Sequence, residues 1–470
     1  MTTLLALLLQ VTPSMALTEL TTDVCILGGG SAGVGAAIAA ARGGAEVVLV
    51  EKQDRLGGTS TQAYVCNWEP GPGDGLCREI YDRLQARNAV CVVKDHNRAR
   101  QQGPFGLWLP DPEGTYEQSL TRASTPHPNW RACVFEPAAL HQVVTDMLGE
   151  TGKCRVMLRT TFIEAAAQGP LVVSVSARGD DGSVYEIHAK TFIDCTGGAH
   201  VCRALGCATM LGPEPKSRFN EPSAPEEPEM VLNGISLCYR IRRREDPARQ
   251  APPEPPAQGW VKTAHVSGLP NGDRIVNPLA ILSGKALLDM GYDKALEECR
   301  RRVQAHWHWL QGYEAFADFE LDSVAPMLGI RESYRVVGEY VLTQHDLLAG
   351  LANQTHPDLI ALADHSMDVH GSGSKHIAGD LKAPYGIPFR CLIPKGWQNL
   401  LVAGRCASFS QIAASSCRLS RTMIQLGHAA GAAAALAARD DASAATVDLG
   451  LLRHSLFADS ARNSPHTSRQ

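Results

Sequence analysis

The sequence predicts an α/β protein: a discontinuous Rossmann-like dinucleotide-binding domain, three-layered around a parallel sheet, with an inserted α+β substrate-capping domain. Three observations carry that expectation. Residues 23–52, "DVCILGGGSAGVGAAIAAARGGAEVVLVEK", set a glycine-rich turn between two apolar runs. A second glycine-rich turn, "KQDRLGGTST", follows at once. Far downstream, "QNLLVAGRCASFSQIAASSCRLSRTMIQLGHAAGAAAALAA" at 398–438 returns with an apolar strand and a helix of small residues. A chain of 470 residues exceeds one ordinary core, so two domains are expected.

Taken in order, Val24 to Leu27 form a short buried strand running into G-x-G-x-x-G at Gly28, Gly30 and Gly33. Gly28 permits the tight turn, Gly30 lets backbone approach the phosphates, and Gly33 lets the helix pack on the strand. Ser31 and Ala32 open that helix, whose unpaired N–H groups and dipole favour a diphosphate. The second strand ends in Glu51, 23 residues after Gly28, where a carboxylate can accept both ribose hydroxyls, with Lys52 next. NAD and FAD both satisfy this geometry. The loop carrying Gly57, Gly58, Thr59 and Ser60 separates them, because a simple NAD domain has no need of it.

In the large FAD-binding group that includes fumarate reductase and glutathione reductase, such a loop lies along the diphosphate and ribityl chain, and this chain resembles that group. "AKTFIDCTGGAHVCRALG" (189–206) is similar to the group's strand and turn on the adenosine side, which implies roles for Thr196 and Gly197. Residues 398–438 look like its C-terminal flavin strand and helix, implicating Gly404, Arg405, Ser415, Ser416 and Arg418. "MLGIRESYRVVGEYVLTQHDLLAG" and "DLIALADHSMDVHG" resemble the family called FAD-dependent oxidoreductases, relatives of the fumarate reductase flavoproteins. The resemblance covers about 23–439 and implies FAD as cofactor. No Cys-x4-Cys follows Gly57-Gly58, as a dithiol reductase needs, and no second G-x-G-x-x-G offers an NAD(P)H domain. No histidine stands after Gly57-Gly58 for covalent attachment, so the FAD is expected to be non-covalent.

The FAD-binding domain is expected to comprise 21–70, 130–215 and 381–440, and the capping domain 71–129 and 216–380. Residues 1–20 read as a leader or disordered N-terminus and 441–470 as a tail, disordered from Ser460. Helices are expected at 135–150, within 71–90, and at 293–316, where Leu296, Val303 and Trp307 recur at helical spacing. His306, Trp307, His308 and Trp309 are candidates to line a pocket or to pack that helix. A strand pair is expected at 154–167 and a hairpin with turn "GDDGS" at 171–192. Pro/Glu-rich 221–229 and 252–258 read as boundary loops, and Gly427 and Gly431 should let the last helix approach the sheet.

A net charge of −5 offers nothing to nucleic acid, and no apolar run is long enough to span a bilayer. Fourteen cysteines without a C-x-x-C pair exclude zinc ribbons and thioredoxin-like centres and favour a reducing, cytoplasmic location. Against that location, "LLALLLQV" followed by "PSMA" resembles a signal peptide, although "MTT" lacks the usual basic residues.

The function expected is an oxidoreductase exchanging hydride between flavin N5 and a small, polar, oxygen-bearing substrate, with a separate electron acceptor. A redox-neutral hydratase or isomerase and an electron-relay subunit are the alternatives. Arg331 and Arg335, at i and i+4, would share a helical face if the segment is a helix, and clamp a carboxylate or polarise a carbonyl. Asp368 and His370 alternate with Met367 and Val369 as strand residues do, so that His370, tuned by Asp368, could take a hydroxyl proton. A helix N-terminus at Ser415 to Cys417 and the Arg418 side chain would face reduced flavin. Structural roles compete: the arginines could pair with Glu332 and Glu339, and Arg418 could bridge domains. His365 and His370, five apart, suit neither helical nor strand ligation of a metal, so none is expected.

Overall fold

Val47–Val50 is buried at every position, as a strand covered on both faces requires. In the computed structural model, which describes residues 17–96, 103–245, 262–369 and 377–462, it lies inside a mixed seven-stranded sheet. Five strands run parallel, in the order Cys154–Met157, Val47–Val50, Leu17–Leu27, Val184–Asp194 and Leu400–Val402. Leu171–Gly179 and Thr160–Gln168 extend it antiparallel, the first forming the expected hairpin with Val184–Asp194. The opening strand starts at Leu17, and Leu17–Leu20 pair with Val184–Ile187, so these four residues belong to the sheet rather than to a leader.

Helix Ser31–Arg42 packs against helix Ser420–Asp440, and glycines set the distance between them. A Cβ on Gly427 would stand 1.9 Å from the Ala32 carbonyl oxygen, and one on Gly431 2.1 Å from that of Ala36. Their close approach is therefore to the glycine-turn helix and not to the strands. Gly427→Ala gains about 1 kcal/mol of helix propensity. It must also push two backbones apart, and overpacking of this kind costs about 1–3 kcal/mol or more. The 1.9 Å clash makes the second term win. We expect a lower denaturation midpoint; an unchanged or raised one would show that the helices can separate freely.

A second, eight-stranded sheet runs Phe319–Val324, Tyr239–Arg243, Arg274–Asn277, Ala264–Gly268, Phe105–Pro110, Val90–Asp95, Ala132–Phe135 and Asn67–Trp68. Its last two strands come from inside segments assigned by sequence to the FAD-binding part. Helix Tyr292–Leu310 covers it with Val303, Trp307 and Leu310, in a core shared with Tyr239, Val266 and Phe316. His306 is buried there, 2.8 Å from the Tyr239 hydroxyl and 2.8 Å from the Thr263 carbonyl. Burial depresses it to about 4, so it is neutral and structural. The remaining expected helices lie at Leu76–Gln85 and Pro137–Gly149.

Three expectations are corrected. Residues 331–334 have no helix and Arg335–Val336 is a short strand paired with Thr209–Met210, so Arg331 and Arg335 share no helical face. Ser415 to Cys417 end the short helix Gln411–Cys417; the N-terminus of the long helix is at Ser420, capped by Leu419. Finally, Ser460 lies in helix Leu449–Arg462 rather than in a disordered tail. His370 and the expected loop 252–258 lie outside the described residues. No helix among the described residues is long and apolar enough to cross a membrane.

Candidate active site

A cleft of about 890 Å³ opens where the glycine turn, the second sheet and the start of the long helix converge. At one end stands the cradle built by Gly28, Gly30 and Gly33. Gly28 has φ +101°, and a Cβ there would meet the Cys195 carbonyl oxygen at 2.5 Å. A Cβ on Gly33 would stand 1.8 Å from the Gly28 oxygen, whereas one on Gly30 would meet nothing within 4 Å. Only glycine fits the first and third positions, and the second leaves room for a ligand against the backbone. Helix Ser31–Arg42 begins there with no side-chain cap and no acid in its first turn, leaving its N–H groups for an anion.

Around this cradle, Ser31, Ala32, Glu51, Lys52, Gly58, Thr59, Thr196, Gly197, Gly404, Arg405 and Arg418 also line the cleft. Glu51 is buried, its Oε2 accepting from Gly29 N–H at 2.6 Å and its Oε1 from Gln53 N–H at 2.8 Å. Each oxygen keeps a lone pair. The second glycine turn docks directly on the first, Gly57 N–H donating to the Gly29 carbonyl at 2.8 Å. Gly33, Gly57 and Ser60 serve packing rather than the lining, with the Ser60 hydroxyl 3.1 Å from that of Ser420. Ser415 and Ser416 are also turned inward. The Ser415 hydroxyl donates to the Ile412 carbonyl and accepts from Asp368 N–H, while Ser416 bonds the His365 carbonyl and Tyr385. Asp194, which sequence reading passed over, is fully buried and clamps the turn by accepting from Thr196 N–H, Thr196 Oγ1 and Cys202 N–H. An acid closing a buried strand just before "CTGG" was its signal.

The opposite end is charged. Arg331 is anchored through Nη1 alone, to the Gly234 carbonyl and Ser236 hydroxyl at 2.9 Å each and to the Leu279 carbonyl at 3.4 Å. Its Nε and Nη2 have no partner among the described residues. Arg418 holds Asp368 through the carbonyl at 3.1 Å and the carboxylate at 3.4 Å. Burial, then repulsion from Arg418, pushes the Arg331 guanidinium down to about 10. Burial likewise lowers Arg405, which makes no hydrogen bond to the described residues and sits against Gly197. Arg335, by contrast, is buried away from the cleft among Glu214, Glu332 and two carbonyls.

Sequence reading missed Glu69, Asp364 and Arg122 altogether and weighed His365 only as a metal ligand. Glu69 lines the cleft, and its Oε2 accepts from Arg122 at 3.0 Å and lies 2.9 Å from His365 Nε2. Burial would raise the Glu69 carboxyl, but the neighbouring His365, Arg122 and His265 hold it well below the usual carboxylate range. His365 Nδ1 is 2.8 Å from the Ser366 carbonyl, so both ring nitrogens stand beside acceptor oxygens. Asp364 accepts two backbone N–H groups at Oδ2, leaving Oδ1 buried opposite Gly71 without a partner among the described residues, and burial raises its carboxyl. No local spacing marks "WEPGPG" or "ADHS" as site segments.

Among solved structures, the chain is similar to a geranylgeranyl bacteriochlorophyll reductase-like protein from Thermoplasma acidophilum at 12% identity, covering 94% of this chain and 84% of that one, with TM-score 0.45. A p-nitrophenol 4-monooxygenase from Pseudomonas putida DLL-E4 is similar at 9% identity, with 93% and 84% covered and TM-score 0.46. A flavin-dependent brominase is similar at 12% identity, with 94% and 84% covered and TM-score 0.44. No curated protein matches the chain. The cradle, the open Gly30 face and the twofold acceptor Glu51 suit a dinucleotide diphosphate and ribose, and the cofactor of the matching family is FAD. Residues 23–456 match the FAD dependent oxidoreductase family, and the chain is a member of that family of enzymes.

Proposed function

We propose that the protein is a dehydrogenase acting on a small, polar, oxygen-bearing substrate that carries a carboxylate, with a separate electron acceptor. Bound FAD supplies the hydride chemistry; the chain supplies orientation, charge and proton handling. The single observation behind this reading is the Arg331 guanidinium, which lines the cleft and is fixed by one nitrogen, its Nε and Nη2 without a partner among the described residues. Such a fork matches a carboxylate side-on. The carboxylates of Asp368, held by Arg418, and of Glu69, both lining the cleft, are acceptors for substrate hydroxyls. His365, paired to Glu69, holds a proton at Nε2 beside them. His370 remains a candidate to receive the hydroxyl proton. Cofactor residues of 21–70, 130–215 and 381–440 would bind FAD non-covalently, 71–129 and 216–380 would cap the substrate, and the kinship extends to fumarate reductase flavoproteins. Free thiols throughout accord with a cytoplasmic location.

Anaerobic addition of hydroxy acids, polyols and sugars tests this reading. Bleaching of the flavin absorbance by a hydroxy acid is the expected result. No bleaching, with the compound nonetheless converted, would mean redox-neutral chemistry. Arg331→Ala should weaken that substrate by about 1.5–3 kcal/mol while FAD content stays at the wild-type level. Equal bleaching by the variant across substrate concentrations would remove Arg331 from the site.

A further inference from the structure

Helix His200–Ala204, which lines the cofactor end of the cleft through His200, Arg203 and Ala204, ends in a turn closed by two backbone bonds. Cys207 N–H donates to the Cys202 carbonyl at 2.9 Å, and Gly206 N–H donates to that of Arg203 at 3.1 Å. Gly206 takes φ +75° between them. This pairing of a six-residue and a four-residue loop brings the side chains at the ends of the wider one into contact. An apolar pair commonly occupies those places. Here both are cysteines, Cys202 fully buried and Cys207 partly exposed.

We propose that Cys202 and Cys207 form an oxidisable thiol pair, in which Cys207 is attacked by a hydroperoxide and Cys202 resolves the product as a disulfide. Their environments differ in the sense this requires. The neighbouring Cys202 side chain, chiefly, holds the Cys207 thiol below its ordinary value against the effects of burial and Asp194. Burial pushes Cys202 well up, as it does the remaining twelve cysteines. A thiolate at a partly exposed position is the reactive form, and buried apolar thiols are inert.

The steps balance. The Cys207 thiolate attacks the terminal peroxide oxygen, the O–O bond breaks, and the alkoxide or hydroxide released takes up a proton. Cys207 is thereby oxidised to a sulfenic acid and the hydroperoxide reduced to an alcohol or water. The Cys202 sulfur then displaces the hydroxyl from Cys207, losing its proton as water departs. Two thiols and one hydroperoxide yield one disulfide, one alcohol or water, and one further water. The pair lies directly beneath the turn lining the cofactor end of the cleft, because Cys202 N–H donates to Asp194 Oδ2 at 3.0 Å.

The test is a native holoenzyme treated with one equivalent of hydrogen peroxide, its free thiols then blocked and the protein digested with trypsin. Cleavage after Arg203 separates the two cysteines into peptides 191–203 and 204–216. The expected product is these peptides joined, parting on reduction. Cys195 shares the first peptide, so the joined species should persist in Cys195→Ser and disappear in Cys207→Ser. In Cys202→Ser, a dimedone-type probe should label Cys207 about tenfold faster than any other cysteine. FAD content at the wild-type level in each variant shows that the fold is intact. Joined peptides that survive Cys207→Ser, or both thiols remaining fully alkylatable after peroxide, would overturn the assignment.

Discussion

Replacing Arg335 with alanine is expected to destabilise the fold by about 3–5 kcal/mol, the range for removing one partner of a buried ion pair. The side chain is 1% exposed and holds Glu214 at 2.6 Å, Glu332 at 3.0 Å, and the carbonyls of Gly212 and Phe409 at 2.7 and 3.0 Å. The two glutamates are themselves locked, Glu214 by Gln411 N–H at 2.8 Å and Glu332 by Asn233 N–H at 2.8 Å, so neither can swing to solvent. Alanine would leave both carboxylates buried without their counter-charge and two carbonyls without a donor. Arg335→Met restores much of the volume but none of the charge, so it should lose nearly as much. Equilibrium denaturation with an unchanged denaturant slope is the measurement. A loss below about 1 kcal/mol for alanine would show that the acids find other partners. The same result separates Arg335 from Arg331, whose removal should act on substrate rather than on the fold.

Glu51→Ala should weaken FAD binding by about 2–4 kcal/mol, the value of two hydrogen bonds to a charged acceptor. That corresponds to about 30- to 1000-fold in dissociation constant. The carboxylate has two tasks at once. It ties Gly29 and Gln53 through their N–H groups, which fixes the glycine turn against the end of the second strand. Its remaining lone pairs face the cleft, where the ribose hydroxyls would lie. Glu51→Gln keeps one acceptor oxygen and exchanges the other for a donor, so its loss should fall between wild type and alanine. Titration of apoprotein with FAD at constant ionic strength reads both variants. Wild-type affinity in Glu51→Ala would exclude it from the cofactor site.

The dinucleotide cradle was legible because its geometry is local. Gly28, Gly30 and Gly33 lie within one turn, and their backbone demands follow from spacing alone. The helix Tyr292–Leu310 was legible for a similar reason: apolar positions recurring every three or four residues fix which face is buried. Where local signals admitted two outcomes, the sequence misled. The i,i+4 spacing of Arg331 and Arg335 has meaning only on a helix, and the chain there pairs with Thr209–Met210 as a strand instead. That pairing turns Arg335 into the buried acids and leaves Arg331 in the cleft. Likewise, "AASSCRLSRTM" held one helix end and one helix start, and only the packed structure shows that the break falls at Arg418 and Leu419.

By itself, then, the sequence determined the glycine turn whose shape suits a diphosphate, the acid that ends the next strand, and the membership of the two in one βαβ unit. Tertiary structure alone decided the charged end of the cleft. Glu69, His265, Arg331, His365 and Arg418 come from five separate stretches of chain, and no periodicity links them. Their meeting depends on how the second sheet and the long helix pack around the first sheet, a balance of many weak, non-local contacts that no short window of residues records.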